Sequence, residues 1–345
     1  MAKEKTRIIP AAMQAADSEV EAIERSYWKR TLKGIIRDWR LYVLLLPLLF
    51  FLVCWKYLPI SSMVLAFKYY TSGSDSIYKA EFIGFAAFKI LFKDPEFWSA
   101  FRNTFMLSFY GMIFGFPFPI ILALFFSEIK NRVFLSVSQV LTYLPKFISV
   151  VVVSNLVGLL LAKHTDFSAG GPLEQILYAI SGGKIINAMD DFKAFRSIYT
   201  ISGIWETAGY SSIVYFAAVL GISPTNYEAA KIDGANKWQQ IRYVTFPGMA
   251  PTLIIMLILK IGQLLSIGYE KVYLLQKQVS ITSITSVYET SQTIATYVIN
   301  KYLETAGSAN QGIGAAADLF NSLLSMVLVL GSNSISRKVS KTSLF

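Results

Sequence analysis

Long apolar runs alternate along this chain with polar segments that hold most of its charge. A helix crossing a membrane needs about 20 mostly apolar residues, and six stretches qualify: 41–59, 103–129, 137–161, 198–222, 250–275 and 313–335. The second contains Pro117 and Pro119, which a span tolerates when neighbouring helices satisfy the carbonyls freed by proline. The sixth opens on Gly314-Ala315-Ala316-Ala317, small residues suited to close helix packing. The pattern predicts an all-α integral membrane protein with a polar N-terminal segment (1–40), a transmembrane domain (41–335) and a short polar tail (336–345). Between spans, 60–102 and 162–197 read as loops with short surface helices, and 286–303 as one short helix stopping near Gly307. No internal repeat or low-complexity tract is found.

Charge sets the orientation. Residues 1–40 are rich in Lys and Arg, and Trp28, Leu32, Ile35, Ile36 and Trp39 recur there at near-helical spacing among Lys29, Arg30, Lys33, Arg37 and Arg40. Two readings fit: a basic amphipathic helix on an anionic leaflet, or an ordinary positive flank ahead of a span. Both put the N-terminus in the cytoplasm. The inner segments then become 1–40, 130–136, 223–249 and 336–345, with roughly two basic residues for each acidic one, while the outer loops are near parity.

Composition agrees. Of 345 residues, 54% are hydrophobic and only 16% charged, against about 25% charged in soluble domains. The net charge of +10 could suit nucleic acid, but the basic residues flank spans and form no stripe, so no nucleic-acid partner is expected and membrane lipid is. Cys54, the single cysteine, forms no intrachain disulfide, and one histidine, His164, cannot make a His-rich metal site. Both read as structural. The first 40 residues are polar and the first apolar run is long, so no cleavable signal peptide is expected.

The polar loop 223–247 is unusually structured. Either Thr225 opens a capping box with Glu228, or Ser223 caps and Pro224 takes the first helical position. Ala229, Ala230 and Ala235 favour helix and leave a low-relief face, and Gly234 is a natural stop. A second helix follows, with Trp238, Ile241 and Val244 or Thr245 on one face, ending at Pro247. A partner-docking element and a plain amphipathic surface loop fit these residues equally.

Glu228-Ala229-Ala230, Asp233-Gly234-Ala235 and Phe246-Pro247 resemble, in order and spacing, the EAA signature of permease subunits of binding-protein-dependent ABC importers. Phe246 departs from the Leu usual before that proline. Asn103-Thr104, Gly115-Phe116-Pro117, Tyr143-Leu144-Pro145, Trp205 with Gly209, and Gly268-Tyr269-Glu270 with Val272-Tyr273 are similar to the carbohydrate branch of that family, common in Gram-positive bacteria. Lys146 stands where that branch often has His. The resemblance spans about residues 35–345 and implies the type I importer permease fold, six spans with a cytoplasmic coupling helix between the fourth and fifth. It implies that Tyr227, Glu228, Ala229, Ala230, Asp233, Gly234, Ala235 and Pro247 couple to an ATPase. It also implies two cytoplasmic ATP-binding subunits, a second homologous permease subunit, and an extracytoplasmic sugar-binding lipoprotein. No G-x-x-x-x-G-K-[ST] occurs, and Gly182-Gly183-Lys184 lacks the upstream glycine. ATP and Mg therefore belong to the partner ATPase subunits, and this chain is expected to bind no cofactor and to be no enzyme.

Polar residues inside spans are costly and read first as functional. Glu206 and Tyr210 lie in the fourth span; Gln263, Ser266, Tyr269, Glu270 and Tyr273 lie in the fifth, where Gln263, Ser266 and Glu270 are spaced to share one helical face. Aromatic rings and polar side chains of these kinds suit a sugar pathway. The structural alternatives are an ion pair between Glu206 and Lys260, Glu270 in interfacial water, and interhelical hydrogen bonds for Asn155, Asp318 and Asn321. An ion-coupled secondary transporter using Glu206, Glu270 or Asp318 is the competing function; the expected lack of repeats and broken helices opposes it. No nucleophile and base are paired for catalysis.

Overall fold

The computed structural model describes residues 33–34, 36–71, 76–163, 170–185, 187–280, 283–303 and 311–340. Most of the predicted N-terminal amphipathic helix, His164, Gly307 and residues 341–345 lie outside the described residues. Two compact units divide the chain, residues 1–63 and 64–345. The first holds α1 (Trp39–Leu52), apolar around its circumference as lipid contact requires, then a π-turn at Val53–Tyr57 and the start of a 3₁₀ stretch, Leu58–Phe67.

The second unit is helical except for one two-residue ladder, β1 (Lys68–Tyr69) antiparallel to β2 (Glu81–Phe82) with Lys68 opposite Phe82. Its helices run α2 (Ala86–Lys93), α3 (Pro95–Gly115), α4 (Pro117–Glu128), α5 (Arg132–Tyr143), α6 (Val150–Leu160), α7 (Pro172–Ile180) and α8 (Phe195–Leu220). Then come α9 (Pro224–Ile232), α10 (Lys237–Gln240), α11 (Phe246–Gly262), α12 (Tyr269–Gln276), α13 (Ile284–Ser291), α14 (Ile294–Val298) and α15 (Gln311–Ser340). Among the described residues four helical stretches are long and apolar enough to cross a membrane: Trp39–Phe67, Pro95–Glu128, Lys237–Gly262 and Gln311–Lys338. A fifth exists only as a pair, Arg132–Phe147 with Val150–Leu160, bent by 99°. With 26 residues, α8 is about 39 Å long, ample to cross, but Ser202, Glu206, Thr207, Ser211 and Ser212 make it too polar to count on composition.

Several sequence expectations are corrected here. The span expected at 137–161 is two helices, because Pro145 sits in a 3₁₀ turn (Leu144–Phe147) and Ser149 starts a new helix, its Oγ accepting from Val151 N–H at 3.3 Å. The span expected at 250–275 ends early: helix stops at Gly262, 263–268 is non-helical, and α12 restarts after Gly268. Glycine at both edges lowers the cost of the break. Gln263, Ser266 and Glu270 therefore share no helical face. Broken helices exist, so their expected lack no longer argues against ion coupling.

Pro247 does not end α10. The chain widens into a π-turn (Ile241–Thr245) and continues as one helix from Lys237 to Gly262, since the wider turn accommodates a proline ring that would strike a normal one. The helix expected over 286–303 breaks at Gln292 and Thr293, where Thr293 and Thr296 form a capping box. Buried Asn103 and Thr104 serve the freed backbone: Asn103 Nδ2 donates to Glu289 O (2.9 Å) and Gln292 O (3.2 Å), and Ile294 N–H donates to Thr104 Oγ1 (2.9 Å).

The central helix is α8, which packs on α3, α4, α5 and α11. Its approach to α5 depends on Gly209, where a Cβ would stand 1.9 Å from the Thr142 carbonyl oxygen. At the end of the bundle remote from loop 223–249, Asp190 ties three loops together. It accepts from Ser280 N–H (2.9 Å), Ser280 Oγ (2.7 Å) and Lys163 Nζ (3.0 Å). Burial pushes this carboxyl up, but the Ser280 and Lys163 donors outweigh it and hold it below the usual carboxylate range.

Two outcomes follow. Gly209→Val forces α5 and α8 apart and costs about 3 kcal/mol, read as a lower Tm in detergent; an unchanged Tm would refute the close contact. Asp190, with a lowered folded-state pKa, stabilises above its ordinary value of about 3.9 and loses that contribution as pH falls through the folded value. The Tm gap between wild type and Asp190→Asn should accordingly be present at neutral pH and close under strong acid.

Candidate functional site

A cavity of about 740 Å³ opens between α3, α8, the turn at Leu144–Phe147 and the break at 263–268. From α8 it receives Tyr199, Gly203 and Glu206, which recur on one helical face. The two interruptions of α-helix supply Lys146 and Ile148 on one side and Gln263, Ser266 and Ile267 on the other, and α11 adds Lys260. Irregular backbone at membrane depth is tolerated where it lines such a cavity. One carbonyl exposed by the second break, that of Leu265, accepts from Asn321 Nδ2 at 2.7 Å. Asn155 accepts from Gln278 Nε2 at 2.9 Å; both partners lie outside helices, so each bond joins a helix to a connecting segment where a helix–helix bond was expected.

Of the residues singled out for the pathway, Glu206, Gln263, Ser266, Tyr269 and Glu270 line this cavity. Tyr210 and Tyr273 do not: Tyr210 is exposed and meets Phe147 edge-on at 5.9 Å, and Tyr273 meets Tyr269 edge-on at 6.5 Å and lies under Lys277. The expected ion pair is also reassigned. Glu206 pairs with Lys271 at 2.9 Å, with both side chains largely buried, and reaches Lys146 at 4.0 Å. Lys260 forms no ion pair among the described residues. Lys271, missed from sequence, follows Glu270 at the restart of α12, and its ammonium also lies 5.6 Å from the Tyr199 ring. Nothing in the spacing of an assumed continuous helix could aim it at Glu206.

Below the cavity, loop 223–249 has a defined local geometry. Ser223 precedes α9 and Pro224 takes its first turn; Ser223 Oγ bonds Thr225 Oγ1 (2.7 Å) and caps no backbone N–H. Gly234 (φ 78°) follows the helix, with Gly234 N–H on Lys231 O and Ala235 N–H on Ala230 O. That is a Schellman motif, which explains a glycine between Asp233 and Ala235. Asn236 and Gln239 then form a reciprocal capping box that starts α10. Tyr227 OH bonds Thr245 Oγ1 at 3.0 Å, fastening α9 to the π-turn, and Lys237 pairs with Glu128 at 2.6 Å. Glu228, Ala229, Ile232 and Trp238 remain exposed.

Comparison with known proteins places the chain. Residues 115–340 match the family described as "binding-protein-dependent transport system inner membrane component". The chain belongs to that family. Among curated relatives, Protein LplB of Bacillus subtilis (strain 168) is 32% identical over 92% of this chain and 94% of its own length. The polygalacturonan/rhamnogalacturonan transport system permease protein YteP of the same organism is 31% identical over 96% of this chain and all of its own. A chain of the bacterial alginate ABC transporter, solved in complex with an alginate pentasaccharide-bound periplasmic protein, shares 36% identity with a TM-score of 0.77, covering 90% of this chain and 99% of that one. This permease is thus a multi-pass membrane transporter component of an ABC importer.

Within the permease, the pair between Glu206 and Lys271 joins α8 to α12 across the cavity wall. Removing one partner of a largely buried pair leaves an uncompensated charge, a loss of about 3 kcal/mol. Glu206→Gln should lower the Tm of the detergent-solubilised protein more than the double change Glu206→Gln with Lys271→Met. Independent, additive losses would show that the two charges do not interact.

Proposed function

We propose that this permease is one of two homologous membrane subunits of an ATP-driven importer of oligosaccharides or polysaccharide fragments. It forms half of the translocation pathway and passes ATP-driven motion to it. In this reading the bent pair Arg132–Phe147 with Val150–Leu160 counts as one span and polar α8 as another, for six in all. Both termini are cytoplasmic, on the side of the excess basic charge, in a Gram-positive cell membrane. Two cytoplasmic ATP-binding subunits hold ATP and Mg, and an extracytoplasmic lipoprotein delivers the sugar. The carbohydrate assignment draws on relatives whose names specify polygalacturonan, rhamnogalacturonan and alginate.

One observation carries the coupling. The helix running 26 residues from Lys237 to Gly262 begins in the loop and ends at the cavity, about 39 Å away. At its lower end Tyr227 fastens α9 to it; at its upper end stand Lys260 and Gln263. We assign α9 as the coupling helix, with Tyr227, Glu228, Ala229, Ala230, Asp233, Gly234 and Ala235 as the ATPase contact and Pro247 in the lever. Exposed Ile232 (87%) gives that contact an apolar anchor. The ion-coupled alternative retains only the helix breaks in its favour, and family membership opposes it.

A β-branched residue at Gly234 is strained by φ 78°, and a larger side chain at Ala230 fills the low-relief face. In the assembled transporter, Gly234→Val and Ala230→Leu should uncouple ATP hydrolysis from sugar uptake, cutting uptake about tenfold or more, while the chain is still made and inserted; a tenfold loss corresponds to about 1.4 kcal/mol of coupling. Normal uptake in both variants would remove α9 from the coupling role.

A further inference from the structure

The cavity is unevenly charged. Lys146, Lys260 and Lys271 all line it, together with Glu206 and Glu270. The single carboxylate engaged in ion pairs there is Glu206, which serves Lys271 at 2.9 Å and Lys146 at 4.0 Å. Among the described residues neither Lys260 nor Glu270 has an ion-pair partner. Lys146 lies close enough to Lys260 and to Lys271 for like charges to repel. Three ammonium groups therefore share the cavity with two carboxylates, and only Glu206 of the two is engaged by a lysine. Lys260 lies in the last turn of α11 and Lys146 in the last turn of the helical stretch Arg132–Phe147, where helix dipoles offset only part of each charge. An under-compensated cation at membrane depth is expensive and marks a pathway group. A mobile anion relieves the repulsion while bound and restores it on leaving, which suits a site that must also release its cargo.

We propose that the saccharide this permease carries is acidic: its carboxylates are met by Lys146 and Lys260 while its rings pass Tyr199 and Tyr269. This rests on the reading of the chain as a carbohydrate permease. Lys271 is committed to Glu206 and holds the wall in place. Lys260 has no ion-pair partner among the described residues, and Lys146 has only the long 4.0 Å contact to Glu206. Each ammonium offers up to three donors to a carboxylate and no rigid fork, so the contacts favour charge over one sugar stereochemistry and let a charged chain slide.

The test uses the complete transporter with its binding protein in proteoliposomes. The probes are a uronate pentasaccharide and its carboxyl-reduced neutral counterpart, each uptake rate normalised to that sugar's measured affinity for the binding protein. Wild type should favour the uronate. Lys146→Gln and Lys260→Gln should each lower the uronate-to-neutral ratio by about tenfold, as expected for loss of one charge-assisted contact, and Lys260→Arg should restore most of it. Equal losses for both sugars, or failure of the complex to assemble, would assign these lysines to a subunit interface and overturn the proposal. A wild-type preference for the neutral sugar would overturn it and leave the carbohydrate importer standing. No ATP-dependent uptake of either sugar would remove both.

Discussion

Inside a membrane every backbone N–H and C=O needs a partner, and that requirement explains where this chain departs from straight helices. The two interruptions of α-helix at membrane depth, near Pro145 and over 263–268, both face one cavity. At the second, the Leu265 carbonyl accepts from Asn321, a side chain of a neighbouring helix. The breaks in turn create the site: the first brings Lys146 to the cavity and the second lets α12 restart with Lys271 aimed at Glu206. The same accounting governs the far end of the bundle, where Asn103 and Thr104 serve the backbone between α13 and α14.

The loop and the cavity are two ends of one element. The Schellman turn at Gly234 and the capping box at Asn236 fix the angle between α9 and α10. The π-turn carries the helix past Pro247 without a stop, and Tyr227 ties α9 to that turn. A load applied to α9 therefore reaches Lys260 and Gln263 through a continuous helix. Conversely, a cargo that changes how 263–268 sits biases the loop, as thermodynamic coupling between two sites requires.

Run length and capping chemistry made much of this legible in sequence. The apolar stretches near 41–59, 103–129 and 313–335 became helices at nearly the expected places, because each needs only enough apolar residues to cross. Gly234 as a stop was readable from local rules alone. The breaks were not. Pro117 and Pro119 look like breakers and sit within a 34-residue helical stretch, while Gly262 and Gly268 look harmless and bracket a real interruption. Whether a membrane helix breaks depends on what satisfies the freed backbone, and those partners come from distant sequence. The site followed the same logic. Glu206, Gln263 and Glu270 announced themselves as polar residues in apolar runs, but Lys271 was overlooked because its partner is 65 residues away across a break.

The central claim is that the helix from Lys237 to Gly262 moves as a rigid lever between the ATPase side and the cavity. Spin labels at Trp238 and Leu259, both exposed, report its length, and a third at Ile113 on α3 reports its position across the cavity wall. Distances would be measured by pulsed electron resonance in the assembled transporter with and without ATP. A lever predicts an unchanged distance between 238 and 259 and a shifted distance between 259 and 113. A helix that bends at the π-turn, changing the first distance and leaving the second fixed, would contradict it.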